Sequence, residues 1–176
     1  MKYRVPFVDV PAHFQSIEDE VMTAVRNVIR KGNLILRDEL REFETQFARL
    51  VGTRYAVGVN SGTDALHLTL RALGITRGDE VVTVSHTCVA TIAAVVHSGA
   101  TPVLVDVGDD FNMEMAKLEE VITSRVRAIV PVHLNGRACD MARLQDLARK
   151  HEVLIVEDCA QALGARFSGQ MVGSFG

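Results

Sequence analysis

Residues 80–106 read EVVTVSHTCVATIAAVVHSGATPVLVD. The first five residues, 80–84, are dominated by valine, a branched side chain that favours extended backbone. Residues 89–97 then form an apolar stretch of helical length that stops before Gly99, a helix-ending residue. A second apolar run follows at 102–106. Strand, helix and strand in that order make a βαβ unit, which joins parallel strands through a crossover helix.

The same grammar continues on both sides. Upstream, 55–59 reads as a strand and 63–73 as a helix ending at Gly74. Downstream, helices are expected at 115–122 and 141–151, and strands at 126–130 and 153–156. Strands that alternate with helices of about ten residues argue for a parallel sheet covered on both faces. The strands are continuous Val/Leu/Ile runs, as expected of strands buried on two sides. Before residue 53 the pattern is purely helical. Ile17, Val21, Val25, Val28 and Ile29 place a helix at 16–30, and Leu40, Phe43, Phe47 and Leu50 place another at 38–50. The loop at 32–37 separates a helical arm, residues 1–36, from an α/β body, residues 37–176.

The chain has 176 residues, 48% of them hydrophobic, and a net charge of −3. That is enough apolar material for a core and is the length of one domain or part of one. Basic residues are scattered through helical stretches, which argues against nucleic acid. No apolar run is long enough for a membrane span and the N-terminus lacks a signal core. Cys88, Cys139 and Cys159 share no metal-ligand spacing, so no metal site is expected, and a reduced cytoplasmic compartment is the simplest reading.

Two motifs carry chemistry. The first is Asn60-Ser61-Gly62-Thr63-Asp64-Ala65-Leu66, where a strand runs into a helix start. A helix start offers unpaired N–H groups and positive dipole charge to an anion, and Gly62 permits close approach. Ser61 with Asp64 also has capping-box spacing, so on these residues alone a plain N-cap is the commoner reading. The second is Glu157-Asp158-Cys159-Ala160-Gln161-Ala162, directly after a strand. Ligands bind at the carboxyl ends of parallel strands. An aspartate there can keep a ring nitrogen protonated, since an opposite charge favours the charged form. Gln161 could donate to a ring hydroxyl. The alternative is that Asp158 caps a helix and Gln161 is solvated. A phosphate grip plus an acid for a ring nitrogen is what pyridoxal phosphate demands. A dinucleotide fold is unsupported, because no Gly-x-Gly-x-x-Gly follows the first strand.

With both motifs in place, the chain resembles the DegT/DnrJ/EryC1/StrS family of pyridoxal-phosphate sugar aminotransferases. The resemblance also runs through Val5-Pro6-Phe7-Val8-Asp9, Gly32, Phe43-Glu44, Gly78-Asp79-Glu80-Val81 and Ser85-His86-Thr87-Cys88-Val89-Ala90-Thr91. It continues in Gly99-Ala100-Thr101-Pro102-Val103, Pro131-Val132-His133-Leu134-Asn135-Gly136 and Gly173-Ser174-Phe175-Gly176. It implies the large domain of the aspartate-aminotransferase-like fold (fold type I), truncated, with its C-terminal part and small domain absent. It implies that Gly62 and Thr63 hold the cofactor phosphate, Asp158 pairs with the pyridine nitrogen and Gln161 meets the ring hydroxyl. Cys88 stands where many members stack an aromatic residue on the ring. Ser61, His86 and His133 are further candidates, His86 and His133 reading equally as loop, core or capping histidines.

The resemblance places the Schiff-base lysine downstream of Gly176, so no catalytic residue is expected within the chain. Lys2, Lys31, Lys117 and Lys150 are expected to be solvated charges. It implies an amino group moved from glutamate or glutamine to a nucleotide-linked keto sugar, in a homodimer. A histidine in place of the missing lysine would instead imply a sugar dehydratase. A non-catalytic fragment that binds a phosphate ligand is the reading from a different class. The chain alone is expected to be inactive and prone to self-association through uncovered sheet edge.

Overall fold

A computed structural model describes residue 5 and residues 8–32 and 34–176. Pro6 and Phe7 of the first matching motif, Lys2, and Asn33 of the 32–37 loop lie outside the described residues. The chain separates into two compact units, residues 1–46 and 47–176.

The first unit carries α1 (Val10–Lys31) and the start of α2 (Asp38–Val51). α1 begins earlier than the expected 16–30. Asp9 caps it by accepting from Ala12 N at 3.0 Å, and Pro11 sits in the first turn, where its missing N–H costs nothing. Gly32, at φ +71°, ends it as expected. Its apolar stripe (Phe14, Ile17, Val21, Val25, Ile29) remains exposed.

The second unit holds α3 (Gly62–Ala72), β1 (Glu80–Val84), α4 (Val89–Ser98), β2 (Thr101–Val105), α5 (Met115–Val121), β3 (Val126–Ile129), α6 (Met141–His151) and β4 (Leu154–Ile155). β1 to β4 form one parallel sheet in the order β2-β1-β3-β4. A short hairpin, β5 (Arg166–Phe167) and β6 (Gln170–Met171), was not expected from the sequence. Its two-residue turn, Ser168-Gly169, has positive φ at both positions, as a type I′ turn requires.

Residues 55–59 are a correction. They join neither sheet, and Tyr55 and Val57 are 70% and 78% exposed. Extended, branched sequence becomes a strand only where a neighbouring strand accepts it, and among the described residues this segment belongs to no strand ladder. β2 also departs from the expectation of burial on both sides. It is an edge strand with Leu104 exposed, and it carries Pro102, which edge strands tolerate. Central β1 is buried at every position, as expected.

Strand alternation sorts the core onto two faces. Val82, Val84, Ile129 and Val153 pack with Met115 and Leu118 of α5 and with Met141 and Leu144 of α6. Val81, Ala128, Val130 and Val156 pack with Leu70 of α3 and Val95 of α4. The register shift between Glu80 and Val81 inserts Arg127 as an extra residue in β3. The shift lets Val126 face one side while Ala128 faces the other.

Short loops join α3 to β1 and β1 to α4, so both helices run against that strand and in the same sense as each other. Arg71, near the end of α3, donates to Ser98 O at the end of α4 at 3.3 Å, and His67 and His97 meet edge-on at 6.0 Å. The helix starts therefore share the end of the unit where β1 delivers the chain into α4, the carboxyl end of the sheet.

Candidate functional site

At that end Ser61 is the N-cap of α3. Its Oγ accepts from Asp64 N at 3.1 Å, and Asp64 Oδ2 accepts from Asn60 Nδ2 at 3.2 Å instead of closing a reciprocal box. The Ser61 oxygen thus caps the helix, and its own O–H is left to donate. Among the described residues no acceptor bonds the N–H of Gly62 or of Thr63. Apart from its chain neighbours and the backbone of its own helix, no atom of the described residues lies within 4 Å of the place where a Cβ on Gly62 would stand. Two unbonded N–H groups at a helix mouth, with open space beside the glycine, have the chemistry to receive an anion.

Asp158 stands beyond β4, where the sheet extends by a bridge between Val132 and Asp158. Val156 faces α3 and α4, so the strand period turns Asp158 to the same side. Oδ2 accepts from Thr91 Oγ1 of α4 at 2.7 Å and Oδ1 accepts from Ala160 N at 3.2 Å. The residue is 8% exposed. Among the described residues no basic side chain pairs with it. No helix follows, so the alternative reading, a helix-capping Asp158 with a solvated Gln161, does not match the structure: the Ala160 N–H closes a turn instead. Gln161 Oε1 accepts from Asn135 N at 3.0 Å, which holds its amide in place. Asn135 has φ +55°, which aims that N–H.

Cys88 is exposed and precedes α4 without a capping bond from its side chain. The His86 ring lies 5.9 Å from the Phe111 ring. His133 is fully buried and turned elsewhere. Its Nδ1 accepts from Cys139 N at 3.0 Å, so Nε2 carries the proton and donates to Glu157 Oε2 at 3.0 Å. The core reading of His133 is the one its contacts match.

Glu157 received no role from the sequence, although it sits inside the second motif. Its carboxylate also accepts from Gly173 N (2.8 Å), Phe175 N (2.7 Å) and Gly176 N (3.0 Å). Burial pushes its pKa up, but the His133 bond and the three backbone donors outweigh that and hold it below the usual glutamate value. The odd-numbered strand positions 153 and 155, facing α5 and α6, were the available signal.

His133, Glu157 and Cys159 lie close enough together to resemble a three-ligand metal site. The chemistry does not suit one: Nε2 already bears a proton and both Glu157 oxygens take N–H donors. Burial pushes the Cys159 and Cys139 thiols up to about 12, keeping both in the neutral form, as expected of packed cysteines. Lys31, Lys117 and Lys150 form surface ion pairs with Glu39, Asp106 and Glu119. No helix among the described residues is long and apolar enough to cross a membrane.

The profile of the DegT/DnrJ/EryC1/StrS aminotransferase family matches residues 15–176. The chain belongs to that family. A curated relative from Acidithiobacillus ferrooxidans, UDP-N-acetyl-3-dehydro-alpha-D-glucosamine 3-aminotransferase, is 48% identical over 98% of this chain and 47% of its own length. S. venezuelae DesV, solved in complex with a ketimine intermediate, superposes with a TM-score of 0.94 at 46% identity. That match covers 98% of this chain and 47% of DesV. NtdA from Bacillus subtilis, solved with bound cofactor PMP, gives 0.90 at 31% identity over 97% of this chain and 40% of NtdA. The chain thus spans about half the length of the family members it matches. The parallel α/β sheet is the family's fold.

Proposed function

We propose that this chain forms the phosphate- and ring-binding part of a pyridoxal 5′-phosphate-dependent aminotransferase. Its substrate would be a nucleotide-linked keto sugar and its amino donor glutamate or glutamine. The observation that carries this reading is the Asp158 carboxylate, buried at the carboxyl end of the sheet with hydrogen-bond donors but no cation among the described residues. A buried charge without a counter-charge is costly, and a protonated pyridine nitrogen is the partner it lacks.

The donor set fits the rest of the cofactor. The N–H groups of Gly62 and Thr63 would hold the phosphate, with Ser61 serving as their cap. Gln161, its oxygen already taken by Asn135 N, has its NH₂ left for the ring hydroxyl. Cys88 and His86 precede α4 on the loop from β1 and would border the ring. When bound, the cofactor supplies an electron-withdrawing ring that stabilises charge developing at the substrate carbon. The chain's own part is to anchor the phosphate, orient the ring and keep its nitrogen charged.

The substrate class rests on the aminotransferases that the chain resembles, such as the UDP-sugar 3-aminotransferase of A. ferrooxidans. We further propose that residues 1–36 form an arm and 37–176 part of the cofactor domain, that the Schiff-base lysine is none of the described ones, and that the protein is a cytoplasmic homodimer. Titration with pyridoxamine 5′-phosphate tests the central reading. Asp158→Asn should weaken binding by about tenfold, the worth of one charge-assisted contact. Equal affinity of variant and wild type would falsify it.

A further inference from the structure

Asp158 is not held by its own loop alone. Thr91 Oγ1 lies 2.7 Å from Asp158 Oδ2, and Thr87 Oγ1 lies 2.9 Å from Thr91 Oγ1. Thr91 is 2% exposed, on the first turn of α4, and Thr87 is half-buried in the loop before it. The direction of both bonds follows from valence. A carboxylate only accepts, so the single Thr91 hydroxyl proton goes to Asp158. Thr91 oxygen must then be the acceptor in its bond with Thr87, and the Thr87 hydroxyl donates. Two hydroxyls in series polarise one another and strengthen the terminal bond.

We infer that Thr91 is a positioning residue for the ring-nitrogen partner and that Thr87 is the residue that orients it. The inference rests on the cofactor reading of Asp158. Thr91 and Ala160 N–H take one carboxylate oxygen each, from α4 and from the 159–165 turn. The plane of the carboxylate is thereby set by two separate elements. Without the Thr91 bond, Asp158 keeps only its local contact to Ala160 N and can rotate about its side-chain bonds. With its hydroxyl proton given to Asp158, Thr91 would act on the ring through that carboxylate. Its threonine methyl is a packing group, so valine at 91 keeps the shape and removes the donor.

The experiment compares two probes, pyridoxamine 5′-phosphate and its 1-deaza analogue, in which the ring nitrogen is a C–H. The phosphate and ring contacts are common to both, and only the first can meet Asp158 as a cation. Wild type should prefer pyridoxamine 5′-phosphate. Thr91→Val should lose about tenfold of that preference while its affinity for the deaza analogue stays unchanged, the size expected for a hydrogen bond to a charged group. Thr91→Ser, which keeps the hydroxyl, should restore the preference. Thr87→Val should lose less, about threefold, since it acts one bond further away. A purely structural defect would lower both affinities together. If Thr91→Val does not fold by circular dichroism, the serine variant and Thr87→Val decide: loss of preference in the first, or none in the second, overturns the relay. A folded Thr91→Val with the full wild-type preference overturns it too, and leaves the proposed function standing. A wild-type protein that binds neither probe, or both equally, overturns the pairing of Asp158 with the ring and the relay with it.

Discussion

Glu157 and Asp158 are consecutive residues whose carboxylates serve opposite faces of one sheet. Glu157 meets His133 at 3.0 Å on the α5/α6 side, and Asp158 meets Thr91 at 2.7 Å on the α3/α4 side. The two-residue period of extended backbone produces this separation. One peptide unit therefore links a buried knot, which ties down residues 173–176, to the candidate cofactor site.

Glu157→Gln is expected to lower stability by about 3 kcal/mol in urea unfolding, the range for breaking a buried charged network. The amide would turn an NH₂ toward N–H donors that the carboxylate accepts. His133 cannot compensate by changing tautomer, because Nδ1 is committed to Cys139 N. A loss below about 0.5 kcal/mol, the size of a surface change, would contradict this network.

The pH dependence has a definite sign. The folded pKa of Glu157 lies below its unfolded value, about 4.3. Its stabilisation is therefore complete above that unfolded value and is lost as pH falls through the lower folded one. Wild type should lose stability more steeply than Glu157→Gln below about pH 4, in denaturation curves taken across the acid range. Exposed Asp106 and Glu119, also held low by bonds to Lys117 and Lys150, remain in both proteins and cancel in the comparison. Parallel acid limbs would count against the assignment.

Native alkylation should be selective. Cys88 is exposed, whereas burial keeps the Cys139 and Cys159 thiols neutral with values pushed to about 12. Iodoacetamide at mildly alkaline pH should label Cys88 first, and the other two only after denaturant is added. Peptide mass spectrometry reads this out, and equal labelling of Cys139 in the folded protein would refute the packing described.

Ser61→Ala and Gly62→Ala should separate folding from binding at the start of α3. Removing the Ser61 cap should cost about 1 kcal/mol of stability. Gly62→Ala meets no neighbouring atom and should leave stability equal or raise it by about 0.5 kcal/mol. It should nevertheless weaken pyridoxamine 5′-phosphate by about tenfold, by crowding the phosphate. Unchanged affinity in Gly62→Ala would remove this helix mouth from the site.

Much of the molecule was legible in residue order. Valine runs separated by helical stretches gave the parallel sheet, and α6 (Met141–His151) matched its expected limits. Gly62, Thr63 and Asp158 stood out because their chemistry is local: a helix start and a strand end are visible in a few neighbouring residues. The strand expected at 55–59 failed for the converse reason, since pairing depends on a distant partner. His133 looked like a candidate for the same pocket because its ring direction is set by Cys139 and Glu157, which spacing does not reveal.

The sequence by itself determined the fold class and pointed to the residues of the candidate site, because periodicity and turn chemistry act over short distances. Only the tertiary structure decided that Glu157 knots the 173–176 segment and that Thr91 holds Asp158. Those bonds join residues 16 to 67 positions apart. Contacts of that reach exist only after the sheet has brought its strand ends together.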